Sequence, residues 1–96
     1  MTSKQRSYLI GLAAKLDPVF AIGKSGVTPE VAQAVEEAFF THELIKLNVL
    51  KNNFDDLNEL AATLADRTRS QVIKVIGRKI ILYRENRDLK DHIQLP

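Results

Sequence analysis

The sequence predicts an α/β fold in one domain, with the element order α-β-α-β-α-β-β and a mixed four-stranded sheet. Three observations carry this reading. Three segments repeat apolar residues at helical spacing; four shorter runs are apolar, β-branched or strictly alternating; and the two kinds interleave until two strand-like runs meet at Gly77-Arg78. The chain's 96 residues hold material for one hydrophobic core only. With 45% apolar and 27% charged residues, its makeup is that of a folded globular domain, not a disordered segment.

The first helix is expected over about residues 3–16. Thr2 and Gln5 have the spacing of a capping box, and Leu9, Leu12, Ala13 and Leu16 follow on one side. Asp17-Pro18 ends it, because the residue before proline is pushed out of the helical region. Val19 to Ile22 is a short apolar strand, followed by Gly23-Lys24-Ser25-Gly26. Thr28-Pro29-Glu30 then has the order of a helix start: a polar N-cap, proline in the first turn and an acid at the positive end of the dipole. Val31, Ala34, Val35, Ala38 and Phe39 line one side of this second helix, which ends near His42.

Leu44 to Leu50 alternates, with Ile45, Leu47 and Val49 on one side and Lys46 and Asn48 on the other, so it is a half-buried strand. Asn52 to Asp56, polar apart from Phe54, caps a third helix whose Leu57, Leu60, Ala61, Leu64 and Ala65 repeat at helical spacing up to about Thr68. Gln71–Ile76 and Lys79–Arg84 form a hairpin across Gly77-Arg78, where the first turn residue needs positive φ. The expected register sets Val75 opposite Ile80, Lys74 opposite Ile81 and Ile73 opposite Leu82. That would give Ile73, Val75, Ile80 and Leu82 one core face, and Lys74, Lys79 and Tyr83 the other. Residues 85–96 form a polar tail, relieved only by Ile93 and Leu95, in which no element is expected.

The net charge of +2 is mild, but it is unevenly spread. Residues 1–24 carry +3, residues 25–66 carry −6, residues 67–84 carry +6 with no acid, and residues 85–96 carry −1. If the basic segments meet in space, they form one positive face. Lys4, Arg6, Lys24, Lys46, Lys74, Arg78, Lys79 and Arg84 are the candidate cations. No cysteine is present, so no disulfide or thiolate metal site is expected, and a reducing cytoplasm is the expected home. The N-terminus does not read as a signal peptide, and no apolar run reaches the roughly 18 residues of a membrane span.

A loop with glycine at each end, between a strand and a helix N-terminus, can present backbone N–H groups and let another backbone approach. Phosphate is its natural guest. Lys24 adds a full charge, and the GXXG loops of KH domains clamp nucleotides in this manner. Proline at 29 and a capping hydroxyl at Thr28 reduce the free amides of the second helix, so Lys24 and the loop carry more of the task. The bland alternative is that the two glycines merely permit a tight turn. Gly26 separates the two readings: if it serves the approach of RNA more than folding, a β-branched residue there should leave thermal stability nearly intact.

Catalysis is not expected. Gly23-Lys24-Ser25 imitates the end of a P-loop, but Pro18 stands where the first glycine belongs and no strand ending in a metal-binding aspartate follows. The chain has two histidines, and no nucleophile has an evident base. His42 reads as a capping partner, and His92 lies in the tail. No metal, cofactor or small-molecule substrate is expected. Phe20, Phe39, Phe40 and Phe54 read as packing residues before stacking platforms, and so does Tyr83 on the lysine-bearing face.

The order of elements, the Gly23–Gly26 loop, His42-Glu43-Leu44-Ile45-Lys46 and Val75-Ile76-Gly77-Arg78-Lys79-Ile80 resemble the YhbY-like single CRM-domain proteins (chloroplast RNA splicing and ribosome maturation) over about residues 2–84. The resemblance implies a fold similar to the C-terminal domain of translation initiation factor three. It also implies a bacterial role on ribosomal RNA of pre-50S particles, assisting large-subunit assembly without catalysis, with ribosomal proteins as further partners. Gly23, Lys24, Ser25 and Gly26 would contact RNA, with the basic hairpin at Arg78 and Lys79 as further surface. A monomer is expected. Relatives often have glycine where this chain has Arg69, and proline where it has Glu85. The rival reading is a ribosome-associated protein-interaction module that docks an acidic helix and meets RNA only incidentally.

Overall fold

In the computed structural model, which describes residues 1–96, each helix begins where a side-chain oxygen is available to cap it. At α1 (Ser3–Ala13) the capping box is complete: Gln5 N–H donates to Thr2 Oγ1 and Thr2 N–H donates to Gln5 Oε1, both at 3.1 Å. At α2 (Pro29–Ala38) Val31 N–H donates to Thr28 Oγ1. At α3 (Leu57–Thr68) Asp56 Oδ1 accepts from the Asn58 and Glu59 N–H groups. α1 is shorter than expected because its last turn tightens, Lys15 and Leu16 donating to Leu12 and Ala13 only three residues back. α3 ends in a left-handed residue, Arg69, at φ 53°, after which Ser70 N–H returns to Ala65 O at 2.9 Å. This is a Schellman closure, which ordinarily employs glycine.

The strands are β1 (Ala21–Ile22), β2 (Leu44–Val49), β3 (Gln71–Ile76) and β4 (Lys79–Tyr83). They form one sheet in the order β1-β2-β4-β3, with β1 parallel to β2 and the other pairs antiparallel. The predicted α/β class and mixed four-stranded sheet are therefore present. β1 has only two ladder residues, although Val19 N–H to Lys46 O and Asn48 N–H to Phe20 O extend the contact toward the expected start. Gly77 turns the hairpin at φ +57°, with Arg78 at ordinary φ, the pattern of a type II′ turn.

Helices cover both sheet faces. α2 and α3 close one face over Ile22, Ile45, Leu47, Val49, Ile80 and Leu82, with Val35, Phe39, Leu60 and Leu64 fully or nearly fully buried between. α1 closes part of the other over Leu44, Ile73, Ile81 and Tyr83 through Leu9 and Ala13. The expected hairpin register needs one correction. Val75 does face Ile80 and Lys74 does face Ile81, but Leu82 is met by Val72 and not by Ile73. Ile73 is the extra residue of a β-bulge, and it turns under α1, where it is buried. The physical reason lies in α1, which needs apolar partners, and in Arg6, which donates to both Val72 O and Ile73 O and so holds the bulge open.

The polar tail folds back onto the molecule. Glu43, 3% exposed, accepts from the Asn86 and Ile93 N–H groups and from His92 Nδ1, and Ile93 and Leu95 pack against the α1 cluster. Burial alone would raise the Glu43 pKa, but these donors and the neighbouring imidazole hold it below its usual value. No helix is long and apolar enough to cross a membrane.

Candidate nucleic-acid interface

Because β1 and β2 run parallel, their C-terminal ends meet at one end of the sheet, and the β3–β4 hairpin turns at the same end. After Ile22 the chain turns sharply, Gly26 N–H donating to Gly23 O at 3.1 Å, which leaves Lys24 and Ser25 exposed at the tip. The two glycines are not equivalent. Gly26 is buried at φ +68°, and a Cβ there would lie 2.6 Å from Asp55 Oδ2, so the fold itself demands glycine. This differs from the expectation that Gly26 could be replaced at little cost to stability, and at this glycine it favours the tight-turn reading. Gly23 has an ordinary φ and its Cβ would find its nearest neighbour, Leu50 Cδ1, at 4.0 Å. The openness that a ligand backbone could use is at Gly23.

The loop is held from beneath by Asn53, which is 1% exposed. Its Nδ2 donates to Gly23 O at 2.9 Å and to Asp55 Oδ2 at 3.2 Å, while its Oδ1 accepts from Asp55 N–H at 2.9 Å. Arg78 locks the same segment to the hairpin, donating to Val49 O, Leu50 O and Asn53 O at 2.7–2.9 Å. Loop, 50–56 connection and hairpin thus form one tied block, which sets Lys24 of the first basic segment near Lys51 and the hairpin pair Arg78 and Lys79, while Lys4 and Arg6 stay outside it.

Six predicted site residues meet here: Gly23, Lys24, Ser25, Gly26, Arg78 and Lys79. Lys24 is exposed and has no ion-pair partner, whereas Arg78 and Lys79 are half-buried, Lys79 Nζ donating to Asn48 Oδ1. Lys46 and Lys79 line a small apolar-floored hollow with Ile10, Ala14, Ile76 and Ile81, where the sheet extends past α1. Exposed Lys74 shares that face, opposite Ile81. Asp55, Asp56 and Glu59 line a cleft with Val27 beside the loop, so the electropositive side is the hairpin side.

Three predicted contacts lie elsewhere. Arg84 is committed internally, paired with Glu36, donating to Thr68 O and lying over the Phe39 ring 4.9 Å from its centroid. Arg6 supports the bulge, and Lys4 stands beside Gln5, which reaches the tail at Pro96 O. Both are at the far end of the sheet.

Sequence reasoning missed Lys51, Asn53 and Phe54. Lys51 is exposed and shares a depression with Asn48, Leu50, Arg78 and Lys79. Asn53 bonds across a separation of 30 residues, for which no local signal exists. Of the aromatics, Phe39 is in the core and Phe20 packs against it, but Phe40 is 61% and Phe54 92% exposed, contrary to the packing roles expected of them. Tyr83 is buried, and burial followed by the Glu43 charge pushes its pKa up, so it packs and does not stack on a ligand.

The model of the CRS1 / YhbY (CRM) domain matches residues 1–84. The chain is 40% identical over its whole length to a Bacillus subtilis protein named as a probable RNA-binding protein, YqeI, of which it covers 99%. It is 33% identical to an RNA-binding protein of Haemophilus influenzae, covering 95% of that protein and 100% of this chain. It is also similar to the solution structure of a Staphylococcus aureus candidate RNA-binding protein, at 45% identity and a TM-score of 0.84, covering 100% of this chain and 99% of that one. The family is one of RNA-binding proteins and not of enzymes. With the expected element order and a loop-and-hairpin block at one end of its sheet, the chain belongs to the CRS1/YhbY family of CRM-domain proteins.

Proposed function

We propose that this chain binds structured ribosomal RNA of pre-50S particles and assists large-subunit assembly, as a cytoplasmic monomer, gripping phosphate backbone with the Gly23–Gly26 loop. The observation that carries the reading is the tied block. Asn53 and Arg78 fix an exposed Lys24 and an open Gly23 next to Lys51, Arg78 and Lys79, so a backbone passing over the loop meets the hairpin cations without any rearrangement. Such a surface reads charge and not sequence. The Bacillus subtilis and Haemophilus influenzae relatives, both named as RNA-binding, support the ligand class; the ribosomal target rests on the family resemblance.

Salt titration tests the grip. Binding of a ribosomal RNA fragment should weaken steeply as salt rises. Lys24→Ala should flatten the slope of log affinity against log salt by about 0.7–0.9, one phosphate contact. A slope identical to that of the unaltered protein would remove Lys24 from the interface.

A further inference from the structure

Phe54 is the most exposed large apolar side chain of the molecule, at 92%, and it stands beside the loop just described. Its neighbours put it there. Asn53 turns inward to Gly23 O, and the Asp55 carboxylate, on a residue that stays exposed, accepts from Asn53 Nδ2 and lies against Gly26. The Asp55 N–H closes the turn on Asn53 Oδ1 at 2.9 Å. With both flanking polar side chains spent on the two ends of the loop, the intervening ring is held outward. We propose that Phe54 is a stacking platform for an unpaired RNA base whose adjoining phosphate lies on the Gly23–Gly26 loop, an inference that rests on the phosphate-gripping reading above.

Three features select a nucleotide as the occupant. An aromatic face accepts any base, which suits a site whose charged contacts carry no sequence information. Leu50, 42% exposed and next to Gly23, adds a second apolar edge against which a base can lie. Lys51 and Arg78 border the same segment on the hairpin side, opposite the Asp55 and Asp56 carboxylates, so cations on that one side fit a phosphate chain leading to and from the base. A paired helix hides its base faces, whereas loops and bulges present them. The RNA element preferred is therefore a helix interrupted by unpaired nucleotides.

The test compares an RNA stem-loop with a fully paired RNA duplex of matching stem sequence. Phe54 contributes little to the core, so Phe54→Ala should unfold at an unchanged temperature. Its affinity for the stem-loop should fall by about 5- to 100-fold. Duplex affinity and the salt slope should stay as they are, because stacking releases no counterions. The chain has no tryptophan, so Phe54→Trp supplies a sole reporter that should bind as tightly as the parent and change its fluorescence with the stem-loop but not with the duplex. If Phe54→Ala binds both RNAs normally and the tryptophan signal is silent while Lys24→Ala still weakens binding, stacking is wrong and the loop grip stands. If Lys24→Ala is also without effect, the grip fails and the stacking proposal falls with it. Loss of a ribosomal protein partner from Phe54→Ala, with RNA affinity intact, would make the patch a protein contact and overturn the proposal.

Discussion

Both ends of β2 are anchored by one buried polar side chain that gathers distant backbone, Glu43 just before the strand and Asn53 just beyond it, yet the two ends look outward differently. Glu43 carries a charge and collects Asn86, His92 and Ile93, and the tail they belong to covers that end. Asn53 is neutral and collects Gly23, Asp55 and, through its carbonyl, Arg78, leaving Lys24, Lys51, Leu50 and Phe54 in water. A buried carboxylate must be matched by donors from its own chain. The Asn53 amide is satisfied by one carbonyl, one carboxylate oxygen of Asp55 and one N–H, and it adds no charge of its own at this end.

Making the neutral anchor charged should have the largest effect. Asn53→Asp removes the donor to Gly23 O and sets a carboxylate against Asp55, which should cost about 3 kcal/mol of stability and weaken RNA binding with it. Urea unfolding and RNA titration of the same variant measure both. Unchanged values in the two assays would mean that Asn53 does not organise the loop.

The reverse change at the other end should be milder. Glu43→Gln keeps an acceptor but loses the charge-assisted bonds, and should cost about 1–3 kcal/mol while leaving RNA affinity alone. It also has a pH signature. The folded carboxyl has a pKa below its usual value near 4.5, so its contribution is fully present above that usual value and disappears as pH falls through the lowered one. Protection factors of the Asn86 and Ile93 amides, which correct for the intrinsic pH dependence of exchange, should fall in that acid window, and Glu43→Gln should remove that fall. Protection factors that stay constant through the window would show that the tail is held by Ile93 and Leu95 alone.

The smallest effect expected is a gain. Arg69 closes α3 from the left-handed region, where a Cβ is strained, so Arg69→Gly should raise stability by about 0.5–1 kcal/mol without touching either anchor. A lower melting temperature would show that the arginine side chain contributes more than its backbone loses.

The parts of the fold legible in the sequence are those written in neighbouring residues. Thr28-Pro29-Glu30 announces α2, Thr2 with Gln5 announces α1, and Gly77 announces the hairpin, because caps and turns are local chemistry. The bulge at Ile73 was not legible, since alternation predicts a side chain's face only while the ladder stays regular. Lys24 and the hairpin could be named as candidates from charge alone, but Arg84 and Arg6 carry the same charge and are consumed by Glu36 and by backbone carbonyls, and Arg78 too gives its donors to three carbonyls, so it lends the surface its charge more than its hydrogen bonds. Whether a cation is free depends on acceptors that folding brings from elsewhere. Phe54 misled for the converse reason: an aromatic beside a helix start reads as core, and only the inward turn of Asn53, with Asp55 bonded to it, leaves it outside.

The bulge has a consequence for how copies of the molecule behave when crowded together. An outermost strand offers a template on which a second chain can add its own. Here one rim, β1, is two residues long, and the other, β3, is bent at its middle and has two oxygens already occupied by Arg6. Neither rim offers a straight run for another copy to join. Edge-to-edge addition of a second chain is therefore disfavoured at both rims.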